Sequence, residues 1–373
     1  MLKFFHYQNF ISSAFKKYWW LTPVLVFFVW RIILEAVGDS SFSSHFLFSL
    51  PRSVWWQWDS NWYGRIVHSG YSWHPGVQSD VTFFPLYPLL WRIILSLTGW
   101  PSAICAQLIS NLFALGSFII FYYWVLLAYD KNIALRALLA LAIFPTSFFL
   151  ISIYSESTLL ILVAAAFLLA HKEKWVWAAV VAALASAARP PGIFLWPMLL
   201  WLWYNHPKKK GDFKRGELFS LSVLPPLGLI IFSLYLWHQL GDPWLWFKGQ
   251  ANYGRSLGVS PFVLVGAYIK HIILMGENWS HRLAELVAIL FVGICLPKIY
   301  RLNPAYAFFI LLNLAPSFLS NTFTSVQRFV LILLPVFIVV AMQKKIIYHI
   351  YILICAGLLI FNILLFVNGY WVG

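Results

Sequence analysis

Long apolar stretches separated by short polar breaks run along nearly the whole chain, and they do not alternate with a period of two. About 20 consecutive apolar residues let an α-helix cross a bilayer. A transmembrane β-barrel would instead show short alternating segments. Eleven segments read as membrane helices: 19–37, 103–128, 133–150, 157–170, 174–188, 191–204, 219–240, 282–298, 304–319, 328–343 and 346–367. Two further stretches, 84–98 and 260–275, are short and interrupted by Arg92 or by Lys270-His271. A charge at the bilayer centre costs about 2.5–3.5 kcal/mol on insertion scales, so each is either an awkward span or a helix lying along the interface.

Charge separates these alternatives. With both stretches outside the span count and a cytoplasmic N-terminus, Lys3, Lys16, Lys17, Lys131, Arg136, Lys172, Lys174, Lys208–Lys210, Lys214, Arg215, Lys298, Arg301, Lys344 and Lys345 all face inside. Counting 84–98 as a span sends Lys208–Lys210 outside, and counting 260–275 alone does the same to Lys298, Arg301, Lys344 and Lys345. The positive-inside rule opposes both. The expectation is a single transmembrane domain over 1–373, all-α and polytopic. It has about 11 membrane helices, a first outer loop at 39–102 with interfacial helices, and a second outer loop at 241–281. Tyr18–Val37 has no small-x-small site after it and reads as a retained first span.

Composition agrees. Hydrophobic residues make up 61% and charged residues 10%, with mean hydropathy +0.78, which excludes a water-soluble fold. The net charge of +14 follows from basic inner loops and calls for no nucleic acid. Cys105, Cys295 and Cys355 each sit inside an apolar run, with neither a disulfide framework nor a metal pattern.

The candidate chemistry gathers on the outer side. Asp59 stands among Trp55, Trp56, Trp58 and Trp62, with Tyr63 following. A carboxylate partly desolvated by tryptophans is a candidate general base; Asp59 equally suits the N-cap of a short interfacial helix within an aromatic belt. Phe83-Phe84-Pro85-Leu86-Tyr87-Pro88 reads as a helix entry. Glu156, in Tyr154-Ser155-Glu156, lies at a membrane boundary, where it either caps a helix or faces a polar cavity. Arg189 at a helix break before Pro190-Pro191-Gly192 suits a phosphate, or snorkels to the headgroups. Arg328 starts another span from the outside. The segment from Gly241 through Trp246 and Gln250 to Arg255 offers an aromatic platform beside hydrogen-bonding and basic groups for a sugar. His68, His74 and Asp80 fit no metal spacing, and Asn278-Trp279-Ser280 is a glycosylation sequon.

Taken in order, these pieces resemble a known family. The run Trp58-Asp59…Tyr63…Ile66…Gly70-Tyr71 is followed by Phe83-Phe84-Pro85-Leu86-Tyr87-Pro88, Phe144-Pro145…Tyr154-Ser155-Glu156, Ala188-Arg189-Pro190…Gly192, Gly241-Asp242-Pro243…Gln250 and Gly369-Tyr370-Trp371-Val372-Gly373. Together they look like the signature of the PIG-V family, the second mannosyltransferase of GPI-anchor synthesis, and its prokaryotic relatives. The resemblance implies the GT-C glycosyltransferase fold, with an acidic residue of the first outer loop, here Asp59, at its centre. Eukaryotic members act in the endoplasmic reticulum on GPI precursors; the shorter chain here points to a prokaryotic plasma membrane.

No Gly-rich fingerprint or soluble domain for a nucleotide sugar is visible. Chemistry on the outer face calls for a lipid-carried donor. The expected activity is transfer of a hexose, mannose by the resemblance, from a polyprenyl or dolichyl phosphate to a hydroxyl of a lipid-linked or surface glycan. Asp59 is the expected base and Arg189 and Arg328 the phosphate ligands. Trp58, Tyr63, Tyr87, Glu156, Trp246, Gln250 and Arg255 are expected to contact sugar or acceptor. No metal or other cofactor is expected. A transporter or flippase of lipid-linked sugars, or a non-catalytic membrane subunit, shares the same composition; the absence of clear internal repeats disfavours the transporter.

Overall fold

The computed structural model describes residues 18–40, 54–206, 215–256, 258–276 and 278–372. The basic loop residues Lys208–Lys210 and Lys214, the N-terminal Lys3, Lys16 and Lys17, part of the first outer loop, and Gly373 lie outside the described residues. The described chain is helical and contains no strand. Five helices are long and apolar enough to cross a membrane: Leu21–Asp39, Ser102–Ala128, Arg215–Leu240, Trp279–Leu302 and Lys345–Val367. By length and composition the chain is an α-helical membrane protein.

The other six apolar segments form shorter or broken helices. Glu156–His171, Trp175–Ala188 and Pro304–Leu319 span 16, 14 and 16 residues. Segment 133–150 breaks at Phe144-Pro145 into Lys131–Ala142 and the 3-10 turn Ser147–Leu150. Segment 191–204 divides into the 3-10 turn Pro190–Phe194 and the helix Leu195–Tyr204. Segment 328–343 divides into Val326–Phe329, a 3-10 turn and Leu334–Ala341. Proline accounts for much of this, since it lacks the N–H that would continue each helix. The two stretches left out of the span count form helices of 13 residues each, Leu86–Thr98 and Pro261–Ile273. At 1.5 Å per residue each covers roughly 20 Å, about as much as the 14-residue Trp175–Ala188.

Leu334–Ala341 is buried on every side, as expected of a helix that is apolar all round. It packs against Lys131–Ala142 and Trp279–Leu302, while Glu156–His171 lies between Ser102–Ala128 and Trp175–Ala188. The alanine-rich Trp175–Ala188 helix permits very close approaches. A Cβ on Gly192 would sit 2.0 Å from the Ala185 carbonyl oxygen, and one on Gly228 would sit 2.2 Å from that of Ala183. These contacts fix the chain on both sides of Arg189. Asp130 and Asn303 cap the helices that follow them, through bonds from the Asn132 and Ile133 amides and from the Ala305 amide.

Segments that charge counting assigned to one side meet one another. Arg136 donates to the Gln343 carbonyl at 2.8 Å, and His206 lies 3.9 Å from Glu173. The residues of the opposite assignment, Asp59, Glu156, Arg189 and Arg328, meet at a single cluster.

Candidate active site

The cluster is built from chain segments far apart in sequence. Asp59 opens the short helix Asp59–Ser69. The preceding Trp58 occupies the cap position, and Asp59 Oδ2 accepts from Arg328 Nη2 at 3.0 Å. The capping alternative for Asp59 therefore gives way to an ion pair across 269 positions. Glu156 opens the helix Glu156–His171 and is 3% exposed. Its Oε1 accepts from Arg328 Nε at 2.9 Å and Nη2 at 2.5 Å, and also pairs with Arg189 Nη1. Arg189 caps the C-terminal end of Trp175–Ala188, where a cation complements the helix dipole.

Arg328 is itself enclosed. Its guanidinium lies 4.6 Å from the Phe149 ring centroid, 4.9 Å from Tyr154 and 5.8 Å from Trp371. Cation–π attraction of this kind is worth about 0.5–2 kcal/mol per ring. The two segments that bring the Asp59–Arg328 pair together each enter through a non-glycine residue at positive φ, Trp58 at φ 49° and Ser325 at φ 72°. Such conformations cost about 1–3 kcal/mol each and concentrate at functional sites.

Two oxygens are left for a ligand. Glu156 Oε2 is buried with no hydrogen-bond partner among the described residues. Glu156 lines a narrow cleft together with Arg189 and Arg328 and the apolar Leu159, Pro191, Phe329 and Ile332. Asp59 is 19% exposed and uses only Oδ2. Beside it Trp58 is 40% exposed and meets Trp371 edge to face at 5.4 Å. The site thus presents acceptor oxygens, guanidiniums and an exposed indole together, which suits a polar ligand carrying hydroxyls and an anionic group.

The remaining expected residues fall at graded distances. Tyr63 shares a 2.6 Å hydrogen bond with Ser155, next to Glu156, and burial pushes its phenol up to about 12, which keeps it protonated. Arg255 donates to Gln250 at 3.1 Å and to Ser325 Oγ at 3.5 Å. Burial, then the nearby positive charge of Arg328, lowers its pKa from the ordinary arginine value. Tyr87 is fully buried under Tyr63, bonded to Ser110 and the Ala106 carbonyl. Trp246 packs on Phe84 and donates to Ser233 at 3.0 Å, in a separate aromatic group. The structure brings Asp59, Glu156, Arg189 and Arg328 together, sets Trp58, Tyr63, Gln250 and Arg255 around them, and leaves Tyr87 and Trp246 in supporting layers.

Several groups escaped the sequence reading. Tyr154 and Trp371 wall the guanidinium, although both stand in motifs the sequence offered. A second polar group joins Tyr268 to Glu285 at 2.8 Å and to Thr322 at 3.1 Å, with the Phe323 amide donating to Tyr268. Its signal was a carboxylate placed inside an apolar run. Among the described residues no three of His, Cys, Asp and Glu gather as metal ligands. Comparison with protein families, with curated proteins and with solved structures finds no match to this chain.

Proposed function

We propose that the chain is a membrane glycosyltransferase of the GT-C type, with about 11 membrane passes. In this reading it moves a hexose, mannose by resemblance to the PIG-V family, from a polyprenyl or dolichyl phosphate to a hydroxyl of a lipid-linked or surface glycan. The observation that carries the reading is the meeting of Asp59, Glu156, Arg189 and Arg328 from four distant segments beside the exposed Trp58. A purely structural ion pair has no need of a partly exposed carboxylate or of a buried acceptor oxygen without a partner among the described residues.

In the reaction, Asp59 Oδ1 takes the proton of the acceptor hydroxyl as its oxygen bonds the anomeric carbon. The bond from that carbon to the phosphate oxygen breaks, and polyprenyl phosphate departs with the electron pair. One displacement inverts the anomeric centre. Arg328 holds the base by its other oxygen, and the guanidiniums stabilise negative charge growing on the phosphate. Phosphate is a good leaving group, so neither a strong general acid nor a metal is required. In this reading the chemistry takes place on the extracytoplasmic face, of a prokaryotic plasma membrane by preference or of the endoplasmic reticulum in a eukaryote.

The test is transfer by purified protein from polyprenyl-phosphate-mannose to a native lipid extract. Release of polyprenyl phosphate with a new mannosylated product supports the reading. Movement of the intact lipid-linked sugar between leaflets, with no release, identifies a flippase instead.

A further inference from the structure

The charge balance of the site separates its arginines into two kinds. Arg189 and Arg328 both pair with Glu156, and Arg328 also holds Asp59. Both guanidiniums already have counterions. Arg255 has none within ion-pair distance among the described residues. Its bonds go to two neutral oxygens, Gln250 Oε1 at 3.1 Å and Ser325 Oγ at 3.5 Å. Of the five N–H donors of a guanidinium, two are used in this way. Asp59 and Glu285 act on Arg255 only from beyond ion-pair distance, so its remaining donors are not committed to a carboxylate among the described residues.

A partly buried cation near other cations is unfavourable on its own account. It is retained here by deliberate fixing. Arg255 follows Gly254 at φ 73°, where the short Gly249–Tyr253 turn ends. That turn is clamped to the first loop by Asn252 donating to the Val77 carbonyl at 2.7 Å and Tyr253 to the Ser79 carbonyl at 3.0 Å. Ser325 is itself the positive-φ residue that leads into the turn carrying Arg328. Arg255 is thus held in place by the two loops that border the Asp59–Arg328 pair, with donors to spare.

We infer that Arg255, oriented by Gln250 and Ser325, is the principal seat of the ligand's phosphate, a phosphate ester carried on an isoprenoid chain. This rests on the transferase reading for the choice of ester. It reassigns Arg189 and Arg328 from phosphate ligands to anchors of the two carboxylates, and Arg255 from sugar contact to anion contact. Planar guanidinium recognises a tetrahedral phosphate through two parallel donors, which Lys lacks.

The experiment measures binding to the full chain in detergent by tryptophan quenching, with farnesyl phosphate, farnesol and inorganic phosphate as probes. Wild type should prefer farnesyl phosphate over farnesol by at least tenfold. Arg255→Gln should weaken farnesyl phosphate by about 10- to 100-fold and leave farnesol unchanged, while Arg255→Lys should recover only part of the loss. Gln250→Leu, which frees the guanidinium without removing its charge, should weaken the same ligand several-fold. The exposed Arg92→Gln is the control and should behave as wild type. Inorganic phosphate bound as tightly as the farnesyl ester, through Arg255, would mark a free-phosphate site and overturn the lipid assignment.

A wild type that does not distinguish farnesyl phosphate from farnesol overturns the seat, as does Arg255→Gln that keeps wild-type affinity and melts normally. Should Arg255→Gln fail to fold, Arg255→Lys and Gln250→Leu decide by the same comparison. The two readings fail separately. Sugar transfer with an unchanged donor KM in Arg255→Lys and Gln250→Leu sinks the seat alone; Arg255-dependent farnesyl phosphate binding without any transfer sinks the transferase alone.

Discussion

Replacing Arg328 by methionine removes the charge at the centre of the cluster while roughly filling its volume. Arg328 makes three charge-assisted contacts, at 2.9 Å and 2.5 Å to Glu156 and at 3.0 Å to Asp59, and is 3% exposed. Removing one partner of a buried ion pair costs about 3–5 kcal/mol, because the remaining charge is left without compensation. Two features place this case near the lower end. Glu156 keeps Arg189 as a partner, and Asp59, at 19% side-chain exposure, can be hydrated. Loss of the attraction to Phe149, Tyr154 and Trp371 adds to the cost, and the methionine sulfur against the same rings offsets part of it, at about 0.3–1.5 kcal/mol. A net loss of about 3 kcal/mol corresponds to a fall in Tm of roughly 5–10 °C. Thermal unfolding in detergent, followed by tryptophan fluorescence, reads it. Glu156→Gln should cost less in the Arg328→Met background than in wild type, by about 1–3 kcal/mol of coupling. An Arg328→Met protein that melts within about 1 °C of wild type, or a cycle with no coupling, would refute the ion-pair reasoning.

Other consequences are open to direct measurement. A cysteine at the exposed Gln78 should react with impermeant maleimide in intact cells, whereas one at the exposed Asn132 should react only after permeabilisation; the reverse pattern overturns the topology. Burial raises the pKa of Asp80 against the bonds it accepts from Ser72. The folded state therefore holds the proton more tightly, the associated stability is lost as pH rises, and Asp80→Asn should gain on wild type above about pH 4; parallel Tm profiles would count against this. Chelator treatment should leave sugar transfer within about twofold of the untreated rate, since general base and guanidiniums carry the proposed step; a loss restored by added divalent cation would contradict it.

The sequence exposed the long helices because an apolar run of bilayer length admits few other structures. The stretches 84–98 and 260–275, set apart by their interrupting charges, form helices of 13 residues each. The break inside segment 328–343 was harder to read, because mean hydropathy hides a turn after Phe329. The site was partly legible for the same physical reason. Charges are scarce in this chain, so Asp59, Glu156, Arg189 and Arg328 stood out at segment ends. Their pairing was not legible, since nothing local links positions 269 residues apart. Tyr87 illustrates the opposite failure: its motif advertised it, but only packing reveals that it lies beneath Tyr63. Arg255 looked like one loop cation among several until its partners proved neutral.

The central claim is that Asp59 acts as the base in sugar transfer from a polyprenyl phosphate. Its most direct test compares wild type with Asp59→Asn in a purified transfer assay using polyprenyl-phosphate-mannose and native lipid acceptor, with folding checked by Tm. The amide keeps the shape and a hydrogen bond acceptor toward Arg328 but cannot take a proton. Wild type should release polyprenyl phosphate and form product, and Asp59→Asn should be slower by about 10²–10⁴-fold with little change in donor binding. A folded Asp59→Asn protein that turns over within a few-fold of wild type, or a wild type that releases no more polyprenyl phosphate than the variant, would contradict the account.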